Sequence, residues 1–279
     1  MAKTLNQLRQ RVKAMRSVLF WEDEIRNQRV RTIFGLEPVQ ASRLLRALRE
    51  EPDLKLSEDQ GVYRLVGAEE PTPAIGDYLG FLSISGETLD WLEDARIDFL
   101  DPDRTTFARI RSACIKRHGL CVLYCSMTHP LGQKRTIFPH TVVRLASRWH
   151  VRAWCEKSSE FRDFNIGRFR EIEEISDAAP KQRDDDAAWN ERVDIRIAPH
   201  PGLTREQVNV IRAEYFPGAS ARKISCRGAL APYVIHALRA AIDLEREAPP
   251  DYQLHVTNAQ SLREHLFPPS RKGADPRRK

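Results

Sequence analysis

The run WHVRAWC, Trp149 to Cys155, alternates along its whole length. A strand turns successive side chains to opposite faces, so Trp149, Val151, Ala153 and Cys155 share one face while His150, Arg152 and Trp154 share the other. The first face reads as core. The second carries an imidazole, a guanidinium and an indole, and the same segment, 145–168, adds Arg162 and Arg168 as two further cations. An anion or a nucleic-acid strand suits such a surface.

The neighbouring segments supply a sheet for this strand. GLCVLYCSM places Cys121, Leu123 and Cys125 on one face and Val122, Tyr124 and Ser126 on the other; with Cys155, the two cysteines read as inward. HPLGQ is a turn, KRTIFPHTVVRL a strand broken at Pro139, LASR another turn and EFRDFNI the next strand. Asp101-Pro102-Asp103 opens a lead-in helix, with Asp101 as cap and Pro102 in the first turn, running to about Arg117 and ended by Gly119. Four or five short strands with tight turns behind a helix predict a small, strongly bent antiparallel barrel.

Ahead of the sheet, Leu5, Leu8, Val12, Met15 and Leu19 recur at helical spacing. A second helix is expected over Asp23–Phe34, with a turn at Gly35, and Glu37-Pro38 opens a third. The third has Ala41, Leu44, Leu45 and Leu48 on one stripe and Gln40, Ser42, Arg43 and Arg46 outward. Two helices across a short turn, the second with amide, hydroxyl and guanidinium groups on its free face, are what a helix-turn-helix reader needs. LKLSEDQGVYRL then reads as two strands around a turn at Asp59–Gly61, a wing with Lys55 and Arg64 as phosphate contacts.

EEPTPAIG (69–76) is a Pro-rich boundary, and residues 77–98 read only as a packed connector. DAAPKQRDDDAAW is a second, acidic boundary. Beyond it RVDIRIAP alternates as a strand and Thr204-x-x-Gln207 is a capping box opening a helix to about Tyr215. Then come a strand at 221–226, a helix over Ala229–Leu244, the strand YQLHVT and a last helix over Ala259–Leu266. His200 and His236 read as structural. The expected organisation is an α+β multidomain chain: 1–68 winged helix-turn-helix, 69–118 linker and connector helix, 119–178 barrel, 188–268 α+β module, 269–279 basic tail.

Charge sharpens the picture. The formal net charge is +6, but residues 1–66 and 268–279 each carry a surplus of four cations, leaving the middle slightly acidic. Cationic ends suit a polyanionic partner. The five cysteines are odd in number and include no CxxC, which predicts reduced thiols and no zinc site. There is no nucleophile elbow, HExxH, GxxxxGK or Rossmann glycine run, so no enzyme and no cofactor is expected. No run has the apolar length of a membrane span and no signal peptide is recognised, so a cytoplasmic location is expected.

Several of these motifs resemble known ones. The name-giving triplet of WYL domains, SH3-like barrels of bacterial transcription regulators, falls on Trp149, His150 and Val151. Tyr124 and Ser126, Pro139-His140, WHVRAW and FRDF…GRF follow in family order. The pattern is similar to the BrxR/CapW group, dimeric repressors linked to phage-defence operons. QAS at 40–42 and VYRL at 62–65 resemble that group's winged helix, with Glu37 where it usually has a capping Ser. IAPHPGLT at 197–204 and ALAPY at 229–233 resemble the carboxy-terminal WCX extension, whose family role is dimerisation and partial cover of the partner's barrel. The resemblance implies a ligand-sensing patch of Tyr124, Ser126, His140, Arg152, Arg162 and Arg168, with Asn165 where many WYL domains have an arginine.

The expectation is a homodimeric repressor on an inverted-repeat duplex operator, derepressed when a nucleotide or nucleic-acid fragment binds the central domain. Two other readings stay open: an activator sensing single-stranded or damaged DNA, and an RNA or single-strand binding module with the barrel as its main site.

Overall fold

The computed structural model describes residues 2–67, 73–87, 90–92, 101–145 and 148–267, in two units, 1–96 and 97–279. The basic tail at 269–279 and residues 69–72 of the Pro-rich boundary lie outside the described residues.

In the first unit, helical apolar spacing produces α1 (Ala2–Glu22), which buries Val12, Met15, Val18 and Leu19. The expected second helix starts late. Asp23 adopts a left-handed backbone, and Ile25–Arg26 forms a short strand β1 paired with Tyr63 and Val62, so α2 spans only Asn27–Phe34. Gly35, at φ 61, closes α2 with its N–H on the Arg31 carbonyl. The conformation is the left-handed one that glycine adopts without strain.

α3 (Pro38–Arg49) opens through Glu37, whose N–H donates to Gln40 Oε1 at 3.2 Å. It buries the expected stripe of Ala41, Leu44, Leu45 and Leu48. β2 (Leu56–Asp59) and β3 (Val62–Leu65) pair antiparallel around Gln60 and Gly61, both at positive φ. That is the backbone a tight two-residue hairpin turn requires. The sheet runs β1-β3-β2. The stretch without a clear period contains α4 (Ile75–Ile84), which adds Tyr78 and Leu82 to this core.

In the second unit the lead-in helix α5 (Arg104–Lys116) is capped by Asp103, which accepts from Thr106 N–H at 2.8 Å. Asp101, expected as the cap, instead accepts from the Trp149 indole at 3.1 Å. Strands β4 (His118–Tyr124), β5 (Gln133–Arg144), β6 (Trp149–Cys155), β7 (Glu160–Asn165) and β8 (Phe169–Ala178) form one antiparallel sheet in the order β7-β6-β5-β4-β8. The expected barrel does not close. β7 and β8 are consecutive in the chain yet form the two edges, because the single 3-10 turn Ile166–Arg168 sends the chain across rather than back as a hairpin.

Side chains fill the gap instead of a hydrogen-bond ladder. Tyr124 stands edge-on to Phe164 at 5.1 Å and tilted to Phe169 at 5.3 Å, and its hydroxyl accepts from Asn165 N–H at 3.2 Å. The break expected at Pro139 is a bulge. Pro139 pairs with Ala153 and Thr141 with Arg152, which leaves His140 as the extra residue; a bulge re-aims such a side chain.

The face assigned to β4 reverses. Leu120, Val122 and Tyr124 point into the core, whereas Cys121 and Cys125 are only partly buried; Cys155 is fully buried as expected. A strand apolar on both faces does not reveal its inner side. Its neighbours do: Leu123 pairs with Lys134 and Glu171, Cys121 with Glu173.

The acidic boundary folds into α6 (Ala187–Asn190). Beyond it, β9 (Arg192–Pro199), α7 (Arg205–Tyr215) and β10 (Arg222–Arg227) follow the sequence reading. The Thr204/Gln207 capping box is formed in both directions, at 3.3 and 2.8 Å. The long helix expected over Ala229–Leu244 is shorter, α8 (Ala231–Ala237). Arg239 turns left-handed at φ 48 and Ala240–Ala241 becomes β11, parallel to β12 (Leu254–Val256). The sheet order is β10-β9-β12-β11, and the last helix is a 3-10 helix, Ala259–His265.

Candidate nucleic-acid interface and ligand cleft

On α3 the apolar stripe faces the core and Gln40, Ser42, Arg43 and Arg46 are all exposed. Arg43 and Arg46 have no ion-pair partner among the described residues. Ser42 Oγ accepts from Asn27 Nδ2 at 2.8 Å, a bond that ties α2 to α3 and leaves the hydroxyl proton to donate outward. Gln40 Oε1 is used in the cap, which leaves its amide N–H groups. In the hairpin Lys55 is exposed, while Arg64 is held by Glu24 at 2.6 Å. The cationic surface here is Arg43, Arg46 and Lys55, and Arg64 is largely neutralised.

The six residues expected to form a ligand patch do not lie together. Ser126 sits in the β4–β5 turn beside Thr128, Oγ to Oγ1 at 3.0 Å, and accepts from His129 N–H at 3.1 Å. Arg162 is exposed on β7 and pairs with Glu160 at 2.7 Å. His140 and Arg152 belong to a buried network. Tyr124 and Arg168 face a cleft.

The buried network centres on Asp186, 1% exposed. Its carboxylate accepts from Arg152 Nε at 2.7 Å and Nη2 at 3.0 Å and from Trp189 N–H at 3.2 Å, and lies 3.1 Å from His140 Nε2. Burial alone would raise the Asp186 pKa, but the His140 and Arg152 hydrogen bonds together hold it down at about 2. Arg152 also reaches Asp163 at 3.3 Å, and Asp163 accepts from the Tyr233 hydroxyl at 3.0 Å. Burial dominates at Asp163 and pushes its pKa up; burial likewise raises that of Tyr233.

The second face of β6 is therefore not solvated, because Asp186, Trp189 and Tyr233 cover it. Sequence reading took the stretch carrying Asp186 as a polar boundary. The available signal was local: Asp186-x-x-Trp189 has the spacing of an N-cap and the N–H it accepts from.

The cleft has a volume of about 580 Å³ between the β4–β7 portion of the sheet and α8. Arg144, Arg148 and Arg168 line it with Tyr124, His150, Asp163 and Asn165 from the sheet side and Tyr233 and His236 from α8. Arg144 stacks over the Trp149 ring at 5.3 Å. His150 is 8% exposed, and its Nδ1 is buried with no hydrogen-bond partner among the described residues. An unmade bond of that kind costs about 1–3 kcal/mol. Burial, with Arg148 and Arg168 adding repulsion, pulls the His150 pKa down to about 4, so the ring is neutral near pH 7. His236, expected to be structural, is exposed at the rim, whereas His200 is buried as expected and accepts from Gly202 N–H at 3.0 Å.

Among the described residues no group of three or more His, Cys, Asp or Glu is placed to hold a metal ion, and no helix is long and apolar enough to cross a membrane.

Residues 105–174 match the family described as WYL domain, and residues 192–262 match the BrxR transcriptional regulator C-terminal dimerization domain. The DNA-binding transcriptional repressor CapW of Escherichia coli strain KTE188 is 30% identical over 264 residues, which cover 88% of this chain and 87% of that protein. The repressor of the same name from Pseudomonas aeruginosa is 34% identical over 143 residues, 51% of this chain and 48% of the relative. That from Stenotrophomonas maltophilia is 32% identical over 159 residues, 57% and 53% respectively. With both domain matches in order and similarity along nearly its whole length, the chain belongs to the BrxR/CapW group of WYL-domain transcriptional regulators.

Proposed function

We propose that the chain is a homodimeric, sequence-specific DNA-binding transcriptional repressor, acting on a phage-defence operon and released by a ligand of its central domain. The relatives named above are DNA-binding repressors, and the C-terminal match is to a dimerization domain. The first unit is read as a winged helix-turn-helix: α2 and α3 meet across Gly35, and the β2–β3 hairpin is the wing. The observation that carries the reading is the face of α3, where Arg43 and Arg46 stand exposed and unpaired above a buried stripe.

In that reading α3 enters the major groove, where arginine forks pair with guanine edges and the Gln40 amide and Ser42 hydroxyl reach bases or phosphates. Lys55 contacts phosphate from the hairpin, and Arg64 serves there only if it leaves Glu24. A dimer places two such heads on half-sites one helical turn or a multiple apart, so the operator is an inverted repeat. Of the ligand patch, Tyr124 and Arg168 keep a direct role, and His140 and Arg152 act through the network beneath. A nucleotide or nucleic-acid fragment releases the operator only by binding the two states of the dimer unequally.

A competition gel shift tests this. The full-length protein is bound to a labelled palindromic duplex from upstream of its own operon and challenged with a scrambled duplex and an unstructured single strand. The palindrome should resist both. A single strand that wins would move the function to single-strand or RNA binding, and a transcription assay that rises on adding the protein would make it an activator.

A further inference from the structure

One side chain of α3 is accounted for neither by the core nor by charge. Val39 is 64% exposed, the one large apolar residue left open on α3 among the described residues. Positions three, four and seven apart share a helical face. Val39 therefore stands in line with Ser42, Arg43 and Arg46, opposite the buried stripe of Ala41, Leu44, Leu45 and Leu48. Gln40 lies about a quarter of a turn to the side, and its Oε1 is taken by the Glu37 N–H at 3.2 Å. The leading end of the free face thus presents an isopropyl group, with the amide off to its flank.

Helix formation does not call for valine at this position, because a β-branched residue is a poorer helix former than the alanine or glutamine that could replace it. A lone exposed apolar residue is ordinary on a protein surface, but this one is set among a hydroxyl and two guanidinium groups that have no ion-pair partner among the described residues. One isopropyl group is far too small an apolar patch to dock a protein, and open cations beside it favour a polyanion. The occupant that matches both is a duplex.

The start of α3 is also fixed in place. Asn27 Nδ2 donates to the Pro38 carbonyl at 3.0 Å and to Ser42 Oγ at 2.8 Å, bonds that pin the helix on either side of Val39. In a helix valine keeps essentially one χ1 rotamer, and its Cβ inclines toward the N-terminus. The two methyl groups are therefore held at the helix tip, the part of a reading helix that meets base edges. In the major groove the apolar group on a base edge is the C5 methyl of thymine.

We infer that Val39 is a specificity-determining residue that selects a thymine in each half-site by packing against its 5-methyl group. The inference rests on the placement of α3 in the major groove and adds a base identity to it. Arginine forks grip guanine edges or phosphates, and the valine rejects bases that lack the methyl. Such a contact carries no charge, so its contribution is independent of salt, unlike that of a phosphate contact.

Fluorescence anisotropy on the full-length protein tests this with the palindromic duplex from upstream of its own operon. Each thymine is replaced in turn, in both half-sites together, by deoxyuridine, which removes only the methyl. At one position the native protein should bind about fourfold more weakly per half-site, the value of one buried methyl. V39A, at an exposed position where alanine favours the helix, should bind the unaltered duplex more weakly by a similar factor, with the same salt slope. It should also be indifferent to deoxyuridine at that position. The inference is overturned if the native protein ignores every replacement, if the bound half-site contains no thymine, or if V39A keeps the full methyl dependence. Operator binding that survives any of these results leaves the repressor reading standing, whereas a protein that binds no duplex removes both.

Discussion

Arg152 on β6 presents Nε and Nη2 to the two carboxylate oxygens of Asp186, at 2.7 and 3.0 Å, with Asp186 only 1% exposed. The pair fastens the central sheet to the segment that leads into the C-terminal module. A buried pair of this kind is weak evidence for net stability, but removing one partner strands the other charge.

Asp186→Ala should therefore destabilise the second unit by about 3–5 kcal/mol. Urea denaturation followed by tryptophan fluorescence measures it. A loss under 1 kcal/mol would show that Arg152 finds another acceptor, with Asp163 as the nearest.

His150 gives a pH dependence whose sign follows from its pKa. Its folded value, about 4, lies below the ordinary 6.5, so the unfolded chain takes up the proton more readily. The stabilisation is complete above the unfolded pKa and is lost as pH falls toward the folded one. Between pH 7 and pH 5 this amounts to about 2 kcal/mol. His150→Phe should lack that component, so the difference in unfolding free energy between native protein and variant should change by this amount across the window. Parallel pH profiles would contradict the burial of a neutral imidazole.

Arg43→Ala and Arg46→Ala act on the other unit. Each should weaken duplex binding and together they should reduce the slope of log affinity against log salt by about 2, because each phosphate contact contributes roughly one unit. Fluorescence anisotropy at several salt concentrations reads the slope. An unchanged slope would take α3 out of the groove or leave its arginines on bases alone.

Gly119 begins the core portion of β4, where a Cβ would sit 2.8 Å from Ile175 and Phe138 side-chain atoms. Gly119→Ala should cost about 1–3 kcal/mol through overpacking. Thermal melting detects it, and a variant as stable as the native protein would mean that Ile175 swings clear at no cost.

Arg162→Ala should leave inducer response intact, since Arg162 pairs with Glu160 at the exposed edge and does not line the cleft. A reporter assay that loses induction in this variant would extend the ligand site to the outer face of β7.

Much of this architecture was written in local patterns. The α3 stripe, the Asp59–Gly61 turn and the Thr204/Gln207 box each depend on residues within a few positions of one another, and each appears as the spacing dictates. What failed depended on residues far apart. The inner face of β4 was decided by Lys134, Glu171 and Glu173 on adjacent strands. The cover over His150 and Arg152 came from Asp186 and Tyr233, 34 and 70 positions from Arg152 and Asp163 respectively. Ser126 and Arg162 matched a family pattern by order alone, but a turn and an edge strand carry them away from the cleft that Tyr124 and Arg168 share. His140 joined the network because a bulge, invisible in the alternation, redirects it.

The open border of the sheet has a further meaning. β8 ends it with Glu171, Glu173, Glu174 and Asp177 along ten residues. An unpaired strand margin invites another chain to add itself, and charges along it discourage that. Carboxylates so placed repel a second copy of the same strand and any phosphate polymer alike.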